Sequence, residues 1–216
     1  MRHTWLLLDI GPKRARQKLA PASQKGGSMS ESRIWGGTVR RMWPQEIDKF
    51  RGHLLRLDHE NRRMRFGTAV SDHFIESYAS QVRECLVYGF FAGGEMHAAA
   101  EMRPIGERWP ADAEGAFSVE HDYQNRGIGT ELFGRIVRSA RNRGISRLYM
   151  DCLAENYKMQ RLCRKFGGDL HFDHGEVVGR VLPGALTYIS LWEEAVEDSH
   201  SFAMAMMSQR PGKIFH

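Results

Sequence analysis

The segment from Ala116 to Gly129, AFSVEHDYQNRGIG, constrains the fold of this chain more than any other feature. Its first residues are typical of a buried strand, its last six form a glycine-containing turn, and an apolar helical stripe follows over Thr130 to Arg143. At such a junction the unpaired backbone N–H groups and the helix dipole attract an anion, and glycines let phosphates approach closely. The sequence therefore predicts a ligand that carries a diphosphate.

Two common phosphate-binding motifs do not fit this turn. The dinucleotide fingerprint requires a third glycine where this chain has Leu132, and the P-loop requires Gly-Lys-Ser/Thr where it has Gly129-Thr130-Glu131. What remains is the pattern Gln-x-x-Gly-x-Gly, which runs from Gln124 to Gly129.

This pattern resembles the acetyl-coenzyme A loop of the GNAT superfamily of N-acetyltransferases. Asn156 and the amphipathic segment that follows it to Gly167 are similar to the family's second signature. The segment Ala113 to Val119 is similar to the matching strand of bacterial protein-lysine acetyltransferase domains. The similarity covers roughly Ala113 to Gly168, with a looser extension back to about Thr38. It implies transfer of an acetyl group from acetyl-CoA to an amine acceptor, either a small molecule or a protein lysine.

The resemblance and the order of elements predict an α/β fold. We expect a single GNAT-type domain whose mixed central sheet is splayed at the acetyl-CoA strand and flanked by helices. The Gly93-Gly94 pair predicts a hairpin, and Ser71 is a predicted helix cap. The other predicted elements are strands at 38–42, 84–91, 95–102 and 146–153, helices at 44–57 and 72–82, a hairpin at 169–180, and a strand or strand-to-helix element at 186–192. The basic run of Arg56, Arg62, Arg63 and Arg65 is interpreted as a solvated face, and an anionic acceptor or an acidic partner surface is the alternative.

The charge distribution divides the chain. Residues 1–28 hold six basic side chains and one acid, which accounts for the whole net charge of +5, and the remaining residues carry 25 of each sign. We predict a disordered basic extension over 1–28, with Met29 an alternative start, the GNAT domain over 29–195 and an uncertain tail over 196–216. A docked helix, a homodimer contact and a frayed terminus are all open for the tail. Because the domain itself is neutral, nucleic acid is not expected as a partner.

Two further observations bear on location and cofactors. No segment approaches the roughly 20 apolar residues that span a bilayer, so no membrane partner is expected. Three widely spaced cysteines do not form a disulfide framework, which favours a reducing compartment and a cytoplasmic location. The chemistry implied by the resemblance needs no metal, and the His171–Asp173–His174 cluster lacks a recognised ligand spacing.

The predicted acetyl-CoA site combines a strand edge with the turn. Pantetheine is an extended amide chain that can pair with a splayed strand, and the backbone of Ser118 and Val119 would supply the partners. Asn156 would cap its helix, and the family pattern implies a further hydrogen bond to the cofactor arm. The predicted contacts are Ser118, Val119, Gln124, Asn125, Arg126, Gly127, Ile128, Gly129, Thr130 and Asn156.

The resemblance also implies catalytic roles. An acceptor amine must lose a proton before it attacks, and the glutamate of the matching strand, Glu114, is the candidate general base. Glu101 on the preceding strand is the alternative base. Many family members place a tyrosine on the second-signature helix to protonate the leaving sulfur, and Cys163 stands at that position. A sensor of the same fold that binds acetyl-CoA without catalysis is the alternative function.

Overall fold

The computed structural model describes residues 36–82, 85–106 and 112–208. The predicted extension over 1–28 and the end of the predicted tail, from residue 209, lie outside the described residues. Within the described residues the strands are β1 (Thr38–Arg41), β2 (Leu86–Ala92), β3 (Glu95–Ile105), β4 (Asp112–Val119), β5 (Leu148–Leu153), β6 (Asp169–Asp173) and β7 (Glu176–Val181). The helices are α1 (Ile47–Arg56), α2 (His59–Phe66), α3 (Asp72–Gln81), α4 (Ile128–Asn142), α5 (Tyr157–Lys165) and α6 (Tyr188–Ser208).

The strands form one mixed sheet in the order β1-β2-β3-β4-β5-β7-β6. Among these described strands the β4–β5 pair is parallel and every other neighbouring pair is antiparallel. The crossover between the parallel strands contains α4, which follows the predicted turn. The predicted α/β class, with a mixed sheet flanked by helices, is confirmed.

Helices cover both faces of the sheet because its central strands are apolar on both sides. On one face, here called the α1 face, Phe50 and Ile75 pack with Val87 and Met96 of β2 and β3. On the opposite face, here called the α4 face, the apolar stripe of α4 packs against the alternate strand residues. That cluster includes Tyr88, Phe90, Ala98, Ala100, Leu132, Phe133, Ile136 and Leu148.

The structure adds one helix that the sequence analysis did not predict. The arginine-rich segment forms α2, which begins after Asp58 because the Asp58 side chain accepts a hydrogen bond from the N–H of Asn61 at 2.8 Å. No residue of α2 is fully buried. The helix therefore lacks the apolar stripe by which the other helices were predicted, and the interpretation as a solvated face missed it.

The C-terminal segment forms α6, which crosses residue 195 without a break. The predicted domain limit at residue 195 thus falls inside a helix, and the segment at 186–192 enters that helix instead of a strand. Arg41 of β1 donates to Asp198 at 2.7 Å, and Arg135 of α4 donates to Glu197 at 2.8 Å. The described part of the tail is therefore a docked helix. Its outer side exposes Tyr188, Ile189 and Trp192, and a homodimer contact there remains a prediction.

Glu194 makes the most extensive set of contacts between α6 and α4. Its buried carboxylate accepts hydrogen bonds from Ser139 at 2.8 Å, Asn142 at 2.6 Å and Arg143 at 2.6 Å. Although burial opposes ionisation, these donors hold the pKa of Glu194 below its ordinary value.

We predict that Glu194→Ala destabilises the protein by about 2 kcal/mol, because buried donors lose a charged acceptor. The pKa of Glu194 is lower in the folded chain, so its contribution is complete above the unfolded pKa and is lost as the pH falls through the folded value. Urea unfolding at pH 7 and at mildly acid pH would measure both effects.

Glu193→Ala is the matched control for this prediction. Half of the Glu193 side chain is exposed, and it lies 3.6 Å from Arg138, so its loss should cost less than about 1 kcal/mol. Equal destabilisation by the two variants would contradict the proposed role of Glu194.

Candidate active site

Strands β4 and β5 separate soon after they begin. Within these two described strands, residue pairs form at Ala113–Leu148 and Glu114–Tyr149 and at no later position. β4 nevertheless remains paired with β3 along its whole length, up to Val119. The edge of β4 that faces β5 is therefore open from Gly115 onward, and the sheet is splayed there.

The backbone groups that face this gap follow from the alternation along β4. The N–H of Ala113 donates at 2.9 Å to the chain entering β5, whereas the N–H of Glu120 donates at 3.0 Å to β3. In β4, the backbone N–H and C=O groups of odd-numbered residues therefore point to the gap, and those of even-numbered residues point to β3. The backbone of Val119 therefore faces the gap, where the predicted pantetheine contact would form. The backbone of Ser118 faces β3 instead. Phe117, not Ser118, is therefore the residue before Val119 whose backbone also faces the gap.

Helices α2 and α5 close the splay into a cleft. Arg65 of α2 and Met159 of α5 line it together with residues of β4 and β5. Beside the cleft, on the α4 face, the ring of Phe117 stacks on Phe133 of α4 at 5.0 Å, and Phe133 stacks on Phe166 at 4.7 Å. This row of rings connects β4, α4 and the end of α5.

The predicted turn leads directly into α4. The backbone at Asn125 and Gly127 is left-handed, with φ of 59° and 87°, and Gly127 is the N-cap of the helix. The helix begins at Ile128, two residues before the predicted start. The N–H groups of Ile128, Gly129 and Thr130 are consequently first-turn donors without a partner inside the helix, which suits an anion. Arg126 is exposed beside them, and the Ile128 side chain is buried in the core.

Gln124 ties the turn to three other elements. Its amide nitrogen donates to the Val119 carbonyl at 2.9 Å and to Asn61 of α2 at 2.8 Å. Its amide oxygen accepts from Lys158 of α5 at 2.6 Å. In this structure the Gln124 side chain thus fixes the turn against β4, α2 and α5.

Glu114 projects from the α1 face of β4 into the cleft and is exposed. Asp151 of β5 lines the same cleft, and the register places it on the same face, two residues beyond Tyr149, the partner of Glu114. The residue as a whole is exposed, but its carboxyl group is partly shielded from solvent by the cleft walls. This shielding, followed by the nearby charges of Glu114 and Glu176, raises the pKa of Asp151 to about 6. Sequence analysis missed Asp151 because nothing in the pattern of β5 distinguishes it.

The alternative base, Glu101, is already neutralised. Its side chain is buried and forms an ion pair with Arg65. Its second oxygen accepts from the Tyr78 hydroxyl at 2.7 Å, and burial raises the pKa of that hydroxyl above its ordinary value. Glu101 is therefore held by two donors, while Glu114 is accessible in the cleft.

Comparison with known proteins identifies the fold and the family. The family model described as the acetyltransferase (GNAT) family matches residues 50–168, more than half of the chain. The chain belongs to the GNAT family. The GNAT domain of S. lividans PAT is 25% identical to this chain, with a TM-score of 0.59, and the match covers 68% of this chain and 90% of that one.

Other relatives extend this result. Acetyltransferase Pat of Mycolicibacterium smegmatis is 40% identical over 55 residues, which cover 26% of this chain and 16% of that protein. This chain thus matches a small part of the length of that relative. The structure of yncA from Salmonella typhimurium, solved with its cofactor acetyl-CoA, has the same fold at 15% identity and a TM-score of 0.51, and the match covers 70% of this chain and 96% of that one.

The second GNAT signature has one residue at the cleft and one in the core. Asn156 lines the cleft and caps α5, because its side-chain oxygen accepts from the N–H of Met159 at 3.1 Å. Cys163 is 1% exposed. The backbone of Gly168 packs so closely on its sulfur that a Cβ atom at residue 168 would lie only 2.3 Å away. Burial, followed by the charge of Asp169, raises the pKa of Cys163 to about 11. The structure therefore places Cys163 in the core, and we do not retain it as a proton donor.

A buried polar network holds the end of β4 on the α1 face. His53 of α1 lies between Ser118, at 2.8 Å from Nε2, and Glu120, at 3.0 Å from Nδ1. Glu120 also contacts His97 at 2.8 Å and accepts from Arg56 at 3.1 Å. Burial opposes ionisation of Glu120, but these partners lower its pKa to about 2. Burial lowers the pKa of His53, so the imidazole is neutral and its Nδ1–H donates to Glu120.

Sequence analysis missed this buried polar network for a specific reason. Its members lie on three elements that are distant along the chain, and His53 by itself occupies an apolar helix face. Ser118 was predicted to act through its backbone, whereas the structure shows its hydroxyl bonded to His53.

In the described part of the chain, no helix is long and apolar enough to cross a lipid bilayer. No group of three or more histidine, cysteine, aspartate or glutamate side chains there is placed to hold a metal ion.

We predict that Gly129→Glu abolishes acetyl-CoA binding in a folded protein. The new carboxylate would stand in the first turn of α4 and repel a diphosphate at the same N–H groups. Isothermal titration calorimetry would measure the loss, and a thermal melt would confirm folding.

Gly129→Ala is the control. Its Cβ would lie 3.6 Å from Leu162 and 3.9 Å from Val119, both ordinary contact distances, so binding should persist. Gly127 is less suitable for this test because its φ of 87° strains any side chain. Unchanged affinity in Gly129→Glu would refute the site.

Proposed function

We propose that this GNAT protein transfers an acetyl group from acetyl-CoA to a primary amine, supplied by a small molecule or by a protein lysine. The observation that carries the proposal is the position of Glu114. This accessible carboxylate lies in the cleft at the point where β4 leaves β5, beside the strand edge that is open to an extended ligand.

The residues present fit acetyl-CoA. First-turn N–H groups of α4 suit its diphosphate, and the gap-facing backbone of Phe117 and Val119 suits the amides of pantetheine. When bound, acetyl-CoA supplies an activated acetyl thioester. The gap-facing N–H of Val119 is then the candidate donor to the carbonyl oxygen as negative charge develops there. In other enzymes a single donor of this kind contributes roughly 2.7 to 4 kcal/mol.

Glu114 would prepare the acceptor. A lysine amine of pKa ~10.4 is protonated at neutral pH and cannot attack until it loses a proton. Glu114 would take this proton, directly or through a water molecule. With Cys163 in the core, no side chain is assigned to protonate the leaving sulfur, and a thiol of pKa ~8.5 is acidic enough to leave as a thiolate.

The proposed setting is the cytoplasm. No disulfide joins the three cysteines, Cys85, Cys152 and Cys163, all of which lie in the described residues. Cysteines that form no disulfide with one another are typical of a reducing compartment.

We predict that Glu114→Gln lowers the turnover rate at neutral pH by roughly 100- to 10,000-fold, because the amide keeps the shape of the side chain but cannot accept the proton. Acetyl-CoA affinity should be unchanged. The defect should shrink as the pH approaches the pKa of the acceptor, where free amine forms unaided. An assay of released thiol, run as a pH series with an amine and lysine-peptide panel, would measure this.

Glu76→Gln provides the matched control, since Glu76 is exposed on α3 and does not line the cleft. It should behave as wild type throughout. Equal rates for Glu114→Gln and wild type would remove Glu114 from the mechanism. If wild type binds acetyl-CoA but acetylates no amine in the panel, the sensor function replaces the enzyme.

A further inference from the structure

The cleft contains two carboxylates that lack a cationic partner among the described residues. Glu114 and Asp151 project from adjacent strands on the same face of the sheet, and both line the cleft. No ion pair or side-chain hydrogen bond within the described part of the chain involves either carboxylate.

The neighbouring carboxylates differ sharply from this pair. Glu101 is paired with Arg65, Glu120 with Arg56, and Glu155 with Arg63. Arginines of α1 and α2 therefore form ion pairs with these neighbouring acids, whereas Glu114 and Asp151 form none within the described part of the chain. Arg103 of β3 lies opposite Glu114 in the sheet register but donates to the sulfur of Cys85. Two like charges in a partly buried cleft repel each other unless a cation joins them.

We propose that Asp151 receives the ammonium group of the acceptor amine, together with Glu114, so that this cleft selects acceptors that arrive protonated. The inference rests on the proposed acetyltransferase function. Asp151 would orient the amine through a charge-assisted hydrogen bond, and Glu114 would take the proton that the nitrogen must lose.

The charged groups around Asp151 support this role. Glu114 faces it from β4 and Glu176 from β7, while Arg65, the cation in the cleft wall on α2, is paired with Glu101. Burial and the two acids raise the pKa of Asp151 to about 6, so its carboxylate is charged at neutral pH and protonates as the pH falls through that value. An approaching ammonium ion would favour the charged form.

The test compares Asp151→Asn with wild type on two acceptors of similar size, an aliphatic amine that is cationic at the assay pH and an alkoxyamine that is neutral there. With the cationic amine, Asp151→Asn should raise KM by roughly 10- to 100-fold, the effect of losing one charge-assisted hydrogen bond. With the alkoxyamine, KM should change little. In wild type the cationic amine should bind less well below pH 6, and this pH dependence should disappear in the variant.

Asp169→Asn is the matched control, because Asp169 is exposed on β6 and does not line the cleft. Asp151→Asn is expected to fold normally, since the raised pKa shows that the folded chain disfavours the charge at this position. Thermal melts would verify this for both variants.

The outcomes separate the inference from the function on which it rests. Active wild type with the same KM for the cationic amine in Asp151→Asn would overturn the inference and leave the proposed function intact. An equal rise of KM for both acceptors would also overturn it, because that result indicates a general distortion of the cleft. Wild type that turns over neither acceptor would overturn the proposed function and the inference with it.

Discussion

The early separation of β4 from β5 is the constraint on which the rest of the site depends. Two residue pairs join β4 to β5 at one end, and beyond Glu114 the backbone of β4 has no strand partner on the side that faces β5. An unpaired strand edge inside a folded domain is unfavourable unless another polar chain satisfies it. A ligand with extended amides can do so, which explains why the same feature creates both a gap in the sheet and a binding edge.

Several interactions hold the end of β4 in place. Gln124 joins the end of β4 to α2 and α5 through hydrogen bonds of 2.6 to 2.9 Å. On the α1 face, His53 bonds both Ser118 and Glu120 and so holds the end of β4 and the residue that follows it. On the α4 face, the stacked rings of Phe117 and Phe133 support the same strand. Because β3 pairs with β4 along its length and contacts on both faces hold its end, β4 keeps its position beyond Glu114 without pairing to β5 there.

The charges of the cleft follow a consistent arrangement. Helix α2 provides arginines that neutralise Glu101 and Glu155 at the margins, and α1 provides Arg56 for Glu120. Glu114 and Asp151, which line the cleft itself, form no ion pair within the described part of the chain. Under the proposed function, the N–H donors at the start of α4 suit an anionic cofactor and the carboxylates of Glu114 and Asp151 suit a cationic acceptor.

The sequence by itself determined the family, the mixed α/β fold, the strand–turn–helix junction and the position of Glu114. Each of these follows from local periodicity or from residues close together along the chain, such as Gly127 before α4 and Asn156 before α5. Helix α2 escaped prediction because it has no apolar stripe, and a docked helix was only one of the alternatives for the tail because the polar contacts of α6 to α4 give no local signal. Only the tertiary structure decided that Cys163 lies in the core, that the backbone of Ser118 faces β3, and that Asp151 shares a cleft with Glu114. Such facts depend on which strand edges and side chains meet across the sheet, and the spacing of residues along one chain does not contain them.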